Sequence, residues 1–429
     1  MSSKPVAITN VRILRGGGTL EMADIVIEAG EIVAIAPNEA PAHGALDGRG
    51  CLAIAGLVDG HVSYGEGGPT AREGFATGSR ASAAGGATTV IDLQLDVPYA
   101  DSVEALARKR EKAARRSVVN VGLLGTVCPR NLGKLRELAP FTQALAVGLA
   151  GPEEFAIRDA ESLRIALEEA AAVDALVVVR AEDDALVRSA SRCHAAGGAA
   201  AYSRARPAAA EVVAVERVLE LVRRIDLAAH FLELSTAGAV DLIEEAKTEG
   251  LRVTASTAPH YLWFDETDVA RLGPRLKCEP SLKSPLDRNR LIEAVRLGVI
   301  DVVASGHTPQ PAAAKSRPFA DVPAGVSSAD LLLPSMLSLV HRGWFDLATV
   351  LHRCAEGPAR ILGLSDAGSL APGRSADLVL VDLDATRRVD VAQLASRDKT
   401  TPYEGMELTG WPRLTLVAGR PVSGDLERC

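Results

Sequence analysis

Residues 56–63 read GLVDGHVS: an apolar run, a small turn, then His61 and, two places on, Ser63. A His-x-His pair here would turn two imidazoles from one strand end toward a cation. Ser63 in the second place breaks that pair. The stretch therefore poses two questions at once: which fold ends a strand this way, and whether a metal site survives there.

Working outward, short apolar runs rich in Val and Ile alternate with helical stretches. TTVIDLQL (88–95) is followed by SVEALARKREKAARR (102–116), VVNVGLLGTV (118–127) and NLGKLRELA (131–139). DALVVVRAED (174–183), AAAEVVAVERVLELVRRI (208–225), AHFLELS (229–235), VDLIEEAKTEG (240–250), LRVTAST (251–257) and IDVVASGH (300–307) continue the alternation. Strands alternating with helices predict a parallel sheet with helical crossovers. About eight such units predict an α/β fold, a (β/α)8 TIM-type barrel over residues 55–361. The two chain ends have a different texture, with short strands such as VAITNVRIL (6–14) and ADLVLVDLD (376–384) broken by Gly and Pro. Residues 1–54 and 362–429 are expected to join in one composite, β-sandwich-like domain. Residues 195–210 (AAGGAAAYSRARPAAA) read as a mobile loop.

The 429 residues are 47% hydrophobic and carry a formal net charge of −8, which predicts a soluble globular chain and argues against a nucleic-acid partner. No apolar run is long enough to span a bilayer and the N-terminus has no secretory pattern, so a cytoplasmic location is expected. Six Cys at 51, 128, 193, 278, 354 and 429 form no CxxC pair and read as reduced thiols. The glycine clusters at 16–18, 67–68, 85–86 and 197–198 precede no Lys-Ser/Thr pair and read as turns, not phosphate loops.

In a barrel, chemistry gathers at the C-terminal strand ends. Together with GSRASAAGGATTVID (78–92), ELSTAGAVDLIEEAK (233–247), VTASTAPHYL (253–262), KSPLDRNRLIEAVRLGVIDVVASGH (283–307), GSLAPGRSADLVLVD (368–382) and TPYEGMEL (401–408), GLVDGHV resembles the cyclic amidohydrolases, the dihydroorotase, hydantoinase and allantoinase branch of the amidohydrolase superfamily. The resemblance runs over nearly the whole chain. It implies two zinc ions sharing a hydroxide that attacks a cyclic amide carbon. Their ligands would come from His-x-His on the first strand, a carboxylate or carbamylated Lys near the fourth, one His on each of the next two, and a last-strand Asp that is also the general base.

Residue by residue, this chain keeps His61 and departs at most other ligand positions. Ser63 replaces the second His. No Lys occurs between Lys134 and Lys247, and Glu153 is the nearest substitute at the fourth strand. Arg180 stands for the His before Ala-Glu-Asp, Glu233 for the His before Ser-Thr, and Gly306, ahead of His307, for the Asp. Arginine is always protonated and has no acceptor, so Arg180 cannot ligate a cation. The carboxylate clamp that dihydroorotases carry is absent from YGEGG (64–68), and Leu95 falls where their turn Asn is implied. His260 and His307 read as retained core or loop-anchoring residues. Arg180 and Glu233 are expected to fill the emptied pocket as a buried ion pair.

On these grounds the vestigial pocket comprises His61, Ser63, Glu153, Arg180, Glu233, His260, Gly306 and His307, with no residue assigned a catalytic role and no cofactor. The leading expectation is a non-catalytic subunit. The resemblance extends to inactive dihydroorotase-like proteins that support aspartate transcarbamoylase, implying that catalytic subunit as a partner, in a homo- or hetero-oligomer serving pyrimidine biosynthesis. One alternative is an active, diverged cyclic amidohydrolase with a single zinc at His61, Glu233 and His307. Another is a small-anion binder using the old cavity, with Arg180 receiving the anion.

Overall fold

The computed structural model describes residues 6–16, 18–37, 45–67, 72–93, 99–194 and 197–425. Leu95, Gly68 and Cys429 lie outside the described residues. Eight strands, β1 (Leu57–Val62), β2 (Ala87–Asp92), β3 (Asn120–Thr126), β4 (Ala144–Gly148), β5 (Val177–Arg180), β6 (Ala229–Phe231), β7 (Val253–Thr257) and β8 (Val302–Val303), pair in parallel in chain order. Their runs are apolar because a parallel sheet wrapped by helices is buried on both faces. Closure comes just past β8, where Val62 bridges His307 and the Ser63 N–H donates to the His307 carbonyl at 2.7 Å. Buried Asp59 staples the same seam by accepting from the Ser305 N–H at 2.9 Å. Ile91, Leu124, Ala146, Val178 and Leu232 pack together in one buried cluster drawn from β2 to β5 and the end of β6.

The crossover helices follow from periodicity and caps. Helix Ala208–Val222 buries Ala210, Ala214, Val215, Val218, Leu219 and Val222, an i, i+4, i+8 stripe that faces the barrel. Helix Pro285–Leu297 starts on a Ser284–Asp287 capping box and ends on left-handed Gly298. Residues 199–205 are short helical turns and not a loop, because buried Tyr202 anchors them: its hydroxyl donates to the Cys278 carbonyl at 2.9 Å.

The chain ends build a second sheet of eight strands. Strand Leu52–Ala55 pairs in parallel with Val6–Leu14 and antiparallel with Leu378–Arg388, so it joins the two ends. The sheet curls on itself like a sandwich: Ile25, Ile27 and Ile32 share one core with Leu378, Leu380, Leu414 and Leu416 from the other half. Only Gly56 separates this sheet from β1, and a Cβ there would meet the Thr88 side chain at 2.0 Å. Among the described residues, five Cys are free thiols, and no helix is long and apolar enough to cross a membrane.

Candidate functional site at the barrel mouth

A cavity of about 880 Å³ opens at the C-terminal strand ends and is lined by His61, Arg180, Glu233, His260 and Gly306 among others. His61 lies at the end of β1, with Nδ1 3.1 Å from Glu233 Oε1, both side chains buried. Glu233 follows β6 in the left-handed region at φ 53°. Non-glycine residues adopt that conformation rarely and at a cost. Glu211, on helix Ala208–Val222, supports the turn by accepting from the backbone N–H groups and both hydroxyls of Ser235 and Thr236 at 2.5–3.1 Å.

Gly306 follows β8 with φ 63° and presents open space to the carboxylate. A Cβ there would lie 2.5 Å from Glu233 Oε1 and 2.9 Å from His260 Cε1. Burial alone would raise the Glu233 carboxyl, but the attraction of His61, with His260 and Arg180 behind it, holds it below the ordinary carboxylate value. His260 is buried with neither ring nitrogen hydrogen-bonded to protein, and desolvation pushes it down to about 4. With its pKa held low, the Glu233 carboxylate stays ionised, and an ionised carboxylate can accept a proton as a weak base. Cys278 also lines the cavity, but burial pushes its thiol up to about 12, which makes it a poor nucleophile.

The expected Arg180–Glu233 ion pair does not form. Arg180 Nη2 instead donates to the Glu279 carbonyl at 2.6 Å and lies 3.6 Å from its carboxylate. Glu279 also receives Arg206 Nη1 at 3.1 Å, and Arg206 pairs with buried Glu182 at 2.5 Å. This network turns Arg180 away from the carboxylate that sequence proximity at the strand ends had suggested.

His307 corrects the single-zinc set of His61, Glu233 and His307, because both its ring nitrogens are occupied. Nδ1 accepts from the Ser328 and Ala329 N–H groups at 3.1 and 3.2 Å, and Nε2 meets Glu73 Oε2 at 2.8 Å. These contacts tie His307 to the loop that carries Ser328 and to Glu73. Glu153 is exposed on the loop after β4. Ser63 Oγ accepts from Arg72 Nη2 at 3.1 Å.

The donors present do not fit a pair of cations. Ser63 is engaged by a guanidinium, Arg180 is itself one, Gly306 has no side chain and His307 is committed elsewhere. Among the described residues no group of three or more His, Cys, Asp or Glu side chains could hold a metal ion. Sequence reasoning missed Glu211, Arg206 and Glu279, whose roles arise only when distant segments meet; no local motif marks them.

A profile of the amidohydrolase family matches residues 52–422. An allantoinase from Streptomyces avermitilis is 33% identical, with 100% of this chain and 97% of that protein covered. A dihydroorotase from Bacillus cytotoxicus is 30% identical over 96% of this chain and 97% of its own. The solved L-hydantoinase (dihydropyrimidinase) from Arthrobacter aurescens superposes with a TM-score of 0.92 at 30% identity, covering 98% of this chain and 96% of that one.

Proposed function

Because this chain belongs to the amidohydrolase family, we propose that it hydrolyses a cyclic amide C–N bond at the barrel mouth without the family's paired cations, using Glu233 as general base. The observation that carries this reading is the exchange at Gly306: the side chain missing from the end of β8 leaves the space that the Glu233 carboxylate now reaches. A carboxylate thus remains at the floor of the cavity, supplied by a neighbouring strand. Relatives named allantoinase, dihydroorotase and L-hydantoinase support hydrolysis over a structural role beside a transcarbamoylase.

In this mechanism Glu233 takes a proton from water as the water oxygen adds to the ring carbonyl carbon. The tetrahedral oxyanion collapses, the ring C–N bond breaks, and the nitrogen leaves with a proton returned through the Glu233–His61 pair. The product is an open chain with a new carboxylate.

The test is turnover of allantoin, hydantoin and dihydroorotate by purified protein, before and after chelation, with metal content measured in parallel. Turnover should survive chelation and fall by about 10²–10⁴ in Glu233→Gln. Turnover that requires stoichiometric zinc, or no turnover of any cyclic amide, overturns the proposal. The excess of arginines over carboxylates around the cavity favours one second reading, binding of a small anion without turnover. A ligand-dependent rise in Tm with no product would mark it.

A further inference from the structure

The chain carries a formal charge of −8, yet six arginines and four carboxylates line this one cavity. A cleft of opposite sign to its molecule concentrates anions. The pairing inside it is uneven. Arg180 and Arg206 are matched by Glu279 and Glu182. Elsewhere on the lining, Asp184 Oδ2 alone faces two guanidinium groups, Arg158 Nε and Arg188 Nη2, each at 2.9 Å. Two cations on one carboxylate leave this triad with an excess positive charge. The Arg188 side chain is 59% exposed and that of Glu233 is 6%, so the excess sits at the mouth and the carboxylate base at the floor.

Size points the same way. A cavity of about 880 Å³ suits a ligand well beyond a bare five- or six-membered ring. We propose that the substrate is a cyclic amide bearing a flexible carboxylate arm, its ring seated against Glu233 and its arm received by Arg158 and Arg188. Guanidinium groups attract carboxylates, and Asp184 already draws both arginines to one oxygen from within the protein. Ring opening would then release a product with two carboxylates. This inference rests on reading the cavity as the hydrolytic site, and its test is made separable from turnover.

Calorimetry on the Glu233→Gln protein would compare hydantoin-5-propionate with its neutral counterpart, 5-propylhydantoin. The acid should bind about tenfold more tightly at low salt, the value of one charge-assisted contact. That preference should shrink severalfold in Arg188→Gln and widen in Asp184→Asn, which removes the internal competitor. Equal binding of the two compounds, no binding of the acid, or a preference that Arg188→Gln leaves intact overturns the carboxylate arm. None of these touches the hydrolytic reading if wild-type protein opens cyclic amides. Conversely, an Arg188-dependent preference without turnover of any cyclic amide overturns the hydrolytic reading and leaves the anion subsite standing.

Discussion

Gly306 and Glu233 exclude one another's side chains: a Cβ on Gly306 would come within 2.5 Å of Glu233 Oε1. The glycine is also left-handed, at φ 63°. Gly306→Ala should therefore lower unfolding free energy by about 2–4 kcal/mol, combining the backbone cost with overpacking. In a Glu233→Ala background the same change should cost less, because the clash with Oε1 is gone while the backbone cost and the approach to His260 Cε1 at 2.9 Å remain. Urea unfolding of the four proteins closes the cycle, and an identical cost in both backgrounds would show that the two positions do not compete.

His260 makes the fold sensitive to acid. Its folded pKa is pushed down to about 4 from an ordinary 6.5. Between those values the unfolded chain binds a proton that the native state refuses, so stability falls as the pH drops through that window. His230, also held at about 4 by burial, acts in the same direction. His260→Phe, which keeps the stacking on Tyr261, should shrink the stability difference between pH 7 and pH 5 by about 2 kcal/mol. Urea midpoints at the two pH values provide the measurement, and an unchanged difference would be evidence against a neutral His260.

Glu73 holds the seam beside the cavity. Its carboxylate meets His307 Nε2 at 2.8 Å and Ser396 Oγ at 3.1 Å, and accepts from the Arg397 N–H at 2.7 Å. The carboxylate, His307 and Ser396 are buried, so Glu73→Ala should cost about 3–5 kcal/mol by stranding its partners. Glu73→Gln, which can still accept, should cost less. Equal losses in the two variants would mean that packing, not hydrogen bonding, matters at this position.

Ser63→His alone should not give stoichiometric zinc. It restores one imidazole, while Arg72 and Arg180 keep guanidinium groups around the cavity and Gly306 still offers no ligand. Elemental analysis of the variant after zinc loading and desalting decides this, and one bound zinc per chain would refute it.

The barrel was legible because strands buried on both faces read as unbroken Val/Ile runs, and because GLVDGHVS and VVASGH end on polar residues. The residue types at Ser63, Arg180 and Gly306 were equally legible. Partners were not. Arg180 finds Glu279 across 99 residues, and His307 finds Glu73 across 234. Strand order places such side chains at the same mouth but does not fix which way each one turns. The stretch 195–210 misled for a similar reason: its Ala and Gly content suggests a loop, and only the burial of Tyr202 against the Cys278 carbonyl turns 199–205 into helical turns.

Strand Leu52–Ala55 has consequences for how the protein is made. One of its edges is covered early, by Val6–Leu14, but the other belongs to Leu378–Arg388. At ribosomal rates of about 5–20 residues per second, that partner emerges tens of seconds later. Throughout that interval an apolar strand, one residue upstream of the strand that carries His61, offers unpaired backbone to any neighbouring nascent chain. Translation speed and chaperone access thus bear on the yield of folded protein.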